Sequence, residues 1–202
     1  MKAACCLFTI WISAVIAERQ CSTISPGKDP NWSKINSSWY SIFDMPESAG
    51  SVDCYHWLSV TGTEYGFYAD VSANNHGYDK QTYQLHYTKV RTGVYTLDPI
   101  RTNKLVESMM KANEHRNTPD LEDKLKAGKQ FFSQLEMAIL TDEENYFIPV
   151  MCTSGGFLSW MMVNTPKPTV SHTALIWNAM AEHQVYGPVE YTWRCLEQER
   201  EN

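Results

Sequence analysis

The sequence predicts an all-β domain, an antiparallel barrel or sandwich, followed by a single late helix. Three observations carry this. Short segments rich in β-branched and aromatic residues recur along the chain. In the clearest of them Tyr83, Leu85 and Tyr87 alternate with Gln84, His86 and Thr88, the period of two of a half-buried strand. Aromatic residues make up 12% of the 202 residues, with seven Trp and eleven Tyr, and such side chains favour sheets and line ligand pockets. Only the stretch 171–185 has convincing amphipathic helical spacing, and there is no self-similar period of about 20–50 residues that would signal a repeat fold.

The elements follow in order. Residues 1–17 have a short positive start at Lys2, an apolar run from Ala3 to Ile16, and small or aliphatic residues before Glu18, the pattern of a secretory signal peptide. The domain is then expected over 18–202. Cys21 to Ile35 is polar with Pro and Gly and reads as an irregular arm. Trp39-Tyr40 and Ile42-Phe43 open the first strand, over 38–45, which Pro46 ends. Strands continue over 54–73, cut by Gly62 and Gly66, and over 81–97, with Asn74-Asn75-His76-Gly77 and Arg91-Thr92-Gly93 supplying turns. Leu105 to Lys126 is charged and broken by Asn117-Thr118-Pro119. We read 113–126 as a surface insertion with a short helix from Asp120. Strands resume at 131–140, 146–152 and 157–163, the barrel strands lying within 36–165. The helix over 171–185 is stopped by Gly187-Pro188, and 189–195 adds a last short strand.

Charge and cysteine content narrow the function. A net charge of −6 and a pI near 5.5 remove the electrostatic route to nucleic acid, which needs a basic face. No stretch is long and apolar enough to span a bilayer. Beyond residue 17 the cysteines are Cys21, Cys54, Cys152 and Cys195. An even number in an exported chain implies two disulfides, and their wide spacing excludes a zinc knuckle. Three pairings are possible. Sequons at Asn31 and Asn36 are candidate glycosylation sites.

No catalytic motif is present: there is no G-x-S-x-G elbow, no H-E-x-x-H and no phosphate loop. The chain is therefore expected not to be an enzyme and to need no metal or cofactor. Glu143-Glu144 reads as a solvated turn, and Met161-Met162 as core and lumen packing.

Four features carry a family resemblance. Ser37-Ser38-Trp39-Tyr40 opens the first strand after an irregular arm. About a hundred residues later a strand ends in Thr141-Asp142-Glu143-Glu144-Asn145-Tyr146, and Cys152 follows. Phe157 to Pro166 has the look of a last barrel strand, and a helix comes next. In order and spacing these resemble the signatures of the lipocalins, most of all secreted, salivary-type insect members. The pattern departs at Ser37, where the family has Gly, and at Val163, where it has an Arg over the signature Trp.

The resemblance implies an eight-stranded antiparallel up-and-down barrel with one C-terminal helix, a Trp39 that fills the barrel base, and a Thr-Asp turn fixed by side-chain hydrogen bonds. It implies crossed disulfides, Cys21 with Cys152 and Cys54 with Cys195. It also implies a secreted protein that sequesters a small hydrophobic or biogenic-amine-like ligand in an extracellular fluid such as the saliva of a blood-feeding insect. Haem held by His76 or His86 is disfavoured, since neither sits in a matching pattern.

If alternation holds inside such a barrel, Tyr55 with Trp57, Tyr65 with Phe67, and Tyr83 with Tyr87 share strand faces. Tyr55, Trp57, Phe67, Tyr83 and Tyr87 are thus lumen candidates. An amine would further need Asp44, Asp70 or Glu136 to reach inside and neutralise it. The alternative is an interaction protein whose loops, including the insertion, bind an extracellular protein target while the barrel serves as scaffold.

Overall fold

The structure, a computed structural model, describes residues 24–35, 37–45, 54–74, 81–98, 100–101, 134–153 and 155–192. The side chains at 54, 55, 73, 74 and 81 are outside that description, as are the expected signal peptide, the 113–126 insertion, Asn36, His76, Cys21 and Cys195.

Eight strands form a closed antiparallel barrel: β1 (Trp39–Met45), β2 (Cys54–Thr63), β3 (Gly66–Asn74), β4 (Gln81–Arg91), β5 (Val94–Leu97), β6 (Glu136–Thr141), β7 (Tyr146–Thr153) and β8 (Gly156–Val163). Each pairs with the next in sequence, and β1 closes the ring by pairing with both β8 and β2. The barrel expected from the resemblance is thus present. A helical turn, α1 (Trp32–Ile35), precedes β1, and a helix, α2 (Val170–Glu182), follows β8. A two-residue strand, β9 (Glu190–Tyr191), then pairs with β1.

The chain packs its apolar residues on both faces of the barrel wall, which is why β7 reads as an unbroken apolar run and not as an alternation. Val94, Ala138, Leu140, Ile148, Val150, Met161 and Val163 face outward and form one core with Ile24 of the arm and with Ile176, Ala179 and Met180 of α2. Trp39, Trp57, Phe67, Ala69, Val71, Tyr95, Met137, Ile139, Phe147, Met151 and Met162 face the lumen. Met161 and Met162 therefore divide between the outer core and the lumen, as adjacent residues of a strand must.

β1 is irregular. Tyr40 lies opposite Val163 and Ser41 opposite Met162, but Phe43, not Ile42, lies opposite Met161, so a bulge sits between Ser41 and Phe43. On its other edge β1 pairs with β2 only at Trp39 and Tyr40. β9 takes over that edge at Phe43 and Asp44, and Thr192 continues it by donating its amide to the Ile42 carbonyl at 3.1 Å and its hydroxyl to the Ser41 carbonyl at 2.9 Å.

The base of the barrel is where β1 begins and where the β2–β3, β4–β5 and β6–β7 turns lie. Trp39 is there with no exposed surface, and its indole N–H donates to the Ile35 carbonyl at 3.0 Å. The Thr-Asp turn is built as expected. Thr141 Oγ1 donates to the Tyr146 carbonyl at 2.7 Å and accepts the Glu143 amide at 2.8 Å. Asp142 Oδ1 accepts the amides of Glu144, Asn145 and Tyr146.

Two expectations change here. The arm is not irregular throughout, because Trp32–Ile35 forms a helical turn that enters the base. Glu143 is not a solvated turn residue either. Only 10% of its side chain is exposed, and it accepts the Asn31 amide at 3.0 Å and pairs with Lys28 and Lys34. The arm is fixed a second time by Asp29, which accepts the Gly93 amide at 2.8 Å and pairs with Lys89 at 2.6 Å. Gly93 has φ of 68°, and a Cβ there would run into Pro26 and the Lys28 carbonyl, so this turn needs glycine both for conformation and for space.

Candidate ligand-binding site

The lower lumen is a continuous stack of rings. Trp32 of α1 lies against Phe67 with centroids 4.4 Å apart. Phe67 stacks on Tyr87 at 4.7 Å and meets Tyr95 edge-on at 5.1 Å. Trp57 lies 6.3 Å from Tyr87 and 5.4 Å from Phe147, and Phe147 lies 5.5 Å from Trp39. Offset and edge-on contacts of this kind add to the burial each ring already contributes. Desolvation raises the phenols of both Tyr87 and Tyr95 well above the usual range, so they stay neutral donors at every ordinary pH.

This arrangement closes the base with Val163 at the position where the resemblance would place an Arg. Trp32 does the work, seated on Gly62, where an added Cβ would collide with the Trp32 side chain.

Toward the mouth, where β1 ends and β8 begins, the wall changes. Val71, Tyr83, Leu85, Met151, Leu158 and Trp160 line or pack against the lumen core. Asp44 stands among them. It lies opposite Trp160 across the β1–β8 ladder, is only 5% exposed, and accepts a hydrogen bond from the hydroxyl of Ser41. Because Phe43 and Met45 pack outward with the α2 core, Asp44 between them points inward.

The expected lumen residues divide. Trp57, Phe67, Tyr83 and Tyr87 belong to the lumen core. The side chain of Tyr55 lies outside the described ones. Tyr65 does not share the face of Phe67; it is in the β2–β3 turn and 71% exposed. Asp70 points outward, since Phe67, Ala69 and Val71 on the same strand point inward. On the outer wall Asp70 accepts hydrogen bonds from Ser59 at 2.7 Å and Gln84 at 2.9 Å. Glu136 is also outside, paired with Arg91, because its neighbour Met137 faces the lumen. His86 is on the outer wall too, 2.6 Å from Arg101 through Nδ1. Desolvation, reinforced by that guanidinium, lowers its pKa. Of the two sequons, Asn31 is exposed and its side-chain oxygen accepts the Ser33 hydroxyl at 2.7 Å.

Reading the sequence missed Trp32, Tyr95 and Phe147 as lumen rings. Phe147 lies in a run buried on both faces, and Trp32 is masked by its place inside a sequon. No set of three or more His, Cys, Asp or Glu side chains suited to a metal occurs among the described residues, and no described helix is long and apolar enough to cross a membrane. No family profile and no curated protein matches the chain.

Proposed function

We propose that this chain is a secreted lipocalin and a binding protein rather than an enzyme, whose lumen takes a small hydrophobic or amine-bearing molecule. The observation that carries the reading is the inner wall itself. A closed eight-stranded barrel has room for about one small ligand, and here the core inside it is aromatic and aliphatic, with the Asp44 carboxylate and the Ser41 hydroxyl bonded to each other on the same wall. That is the composition of a small-molecule site: mostly apolar, with a few placed polar groups. The setting is an extracellular fluid, with insect saliva as the specific proposal. The test is native mass spectrometry of the protein purified from a secreting host. A co-purified small molecule released on denaturation is the expected result, and a ligand-free barrel that takes up no apolar or amine compound overturns it.

Secretion and the crossed disulfides belong to the same proposal. Cys152 is disulfide-bonded. It borders a cavity of about 120 Å³ together with Ile24, which is three residues from Cys21, so a short stretch of arm spans the distance. At the other bridge, Cys54 is the first residue of β2, two positions before His56, which pairs with Tyr40; Thr192 donates to the Ile42 carbonyl further along β1, and Cys195 is three residues beyond Thr192 in the sequence. Both placements support Cys21 with Cys152 and Cys54 with Cys195.

One observation favours the protein-binding alternative. Trp177 on α2 and Tyr191 on β9 are 42% and 53% exposed and flank Phe43 with centroids 5.6 and 5.4 Å away. Exposed Trp and Tyr are the residues most often central to protein interfaces. Under this reading, replacing both with Ser abolishes capture of a protein from the host fluid. Under the small-ligand reading, lumen binding is unaffected.

A further inference from the structure

Two lumen phenols use their hydroxyls differently. Tyr95 turns its hydroxyl out through the base, 3.4 Å from the Asp29 carboxylate. Tyr87 lies opposite Phe67 and Leu97 in the ladders on either side of β4, and its ring stacks on Phe67 at 4.7 Å with the planes 17° apart. Its phenol is raised by burial and by the neighbouring phenol of Tyr83, and none of the described residues accepts a hydrogen bond from it. Although enclosed, Tyr87 keeps accessible surface, as do Leu85 and Tyr83, the inward residues that follow it toward the mouth. The rings around them are sealed: Trp57, Phe67, Tyr95 and Phe147 are at most 2% exposed. The open space of the lumen therefore runs along the inner face of β4, and Tyr87 stands at its lower end.

We propose that the Tyr87 hydroxyl is the specificity-determining donor of the lumen, and that it selects a ligand with a neutral oxygen acceptor, such as a ketone, ester or ether, on an aromatic or aliphatic body. This rests on the small-ligand reading above and names the class of ligand. A phenol supplies one O–H donor. In the empty lumen water can accept that bond, and a ligand that displaces the water must replace it. A hydrocarbon would cover the hydroxyl and leave it unsatisfied, which is unfavourable. An anion would offer an acceptor but would carry its charge into an apolar wall, where burial without a counter-ion costs far more. Every described Lys and Arg is exposed, and Lys28, Lys34, Lys89 and Arg91 pair with acids at the base or on the outer wall. A neutral acceptor satisfies the hydroxyl at no such cost, and the apolar body then extends past Leu85 toward the mouth.

The experiment uses three probes on one phenyl body: acetophenone, which carries a carbonyl; α-methylstyrene, its isostere with a methylene in place of the oxygen; and benzoate, which carries a carboxylate. Binding of each to the full-length secreted protein is measured by calorimetry. Tyr87→Phe removes the hydroxyl and keeps the ring stack. It should weaken acetophenone about fivefold, the net worth of one hydrogen bond, and leave α-methylstyrene unchanged. The wild type should bind benzoate more weakly than acetophenone. Without ligand, Tyr87→Phe should melt no lower than the wild type, because no bond within the protein is lost. Affinities that fall equally for both neutral probes, or for neither, overturn the donor role while leaving the lumen as a binding site. Benzoate bound as tightly as acetophenone overturns the neutral class. A ligand-free variant that melts several degrees lower, or does not fold, shows that the hydroxyl serves the protein itself and also overturns the proposal. Failure of the wild type to bind either neutral probe overturns the lumen reading and the donor role with it.

Discussion

The indole of Trp32 and the phenyl ring of Phe67 stack at the base of the barrel with centroids 4.4 Å apart, which makes a residue from outside the sheet part of the lumen floor. The stack is possible because Gly62 of β2 presents no side chain beneath the indole. This one contact therefore joins three separate pieces of chain: the arm, β2 and β3.

Gly62→Ala puts a methyl group into the space that Trp32 occupies. The expected cost is about 1–3 kcal/mol, as for other overpacked cores, with Trp32 displaced from its stack. Thermal unfolding measures the first effect, and acrylamide quenching against a Trp32→Phe background measures the second. An unchanged melting temperature would mean that Trp32 is not seated there.

Trp39 is a stability residue. Trp39→Ala should cost about 3–5 kcal/mol from lost burial and the cavity left behind. Trp39→Phe, which keeps much of the packing against Phe147 but leaves the Ile35 carbonyl without its indole donor, should cost about 1–3 kcal/mol. Denaturant unfolding of the two variants separates the packing from the hydrogen bond.

Acid should weaken the base before it weakens the wall. Burial works to raise the pKa of Asp142, but the Asn145 side chain and the amides of Asn145, Glu144 and Tyr146 outweigh it and the net shift is downward. Asp29 is likewise lowered: burial is overcome by Lys89, the Gly93 amide and Tyr95. Glu143 is lowered chiefly by the Asn31 amide, with Lys28 and Lys34 adding to it. A carboxylate whose folded pKa is depressed contributes stability that is complete above its unfolded value, and that stability is lost as pH falls through the folded one. Stability should thus be flat near neutrality and fall below about pH 4. Asp142→Asn should flatten that fall. Urea midpoints measured between neutral pH and pH about 2.5 decide it.

Non-reducing peptide mapping should recover Cys21 linked to Cys152 and Cys54 linked to Cys195, with no free thiol in the exported chain. In the chain-entropy model loops of this size stabilise by about 4–5 kcal/mol each, so reduction should lower the melting temperature sharply. A Cys21–Cys54 peptide would contradict the placement of Ile24 beside Cys152.

Features fixed by near neighbours in sequence were the legible ones. The Thr141–Tyr146 turn is held by side chain to backbone bonds spanning a few residues, so its chemistry is written locally. The strands were legible wherever one face was wet. Legibility failed where the facing of a strand depends on distant partners. Phe67 and Asp70 are three apart, and a regular strand sets them on opposite walls, so taking both as inward ignored the period of two. The facing of Glu136 could not be known until Met137 found Met151 across the ladder. Asp44 is the reverse case: alternation would point it outward, and a bulge created by pairing with β8 turns it in. Trp32 was hidden because nothing in its own neighbourhood reveals a vacancy over Gly62, thirty residues away.

The division of β1 between two partners has a consequence for how the molecule is made. Among the described residues, the outer edge of the first strand from Phe43 onward is covered by residues near the far end of the chain, with Thr192 reaching back across 151 positions to the Ser41 carbonyl. During synthesis that edge must wait, its amides and carbonyls open to any extended chain that passes. A product ending before Glu190 would keep the edge open permanently and offer a template for strand-to-strand association between molecules. Aggregation of such a truncated chain, rather than loss of binding, is the defect to expect, and it makes β9, only two residues long, a safeguard against self-assembly.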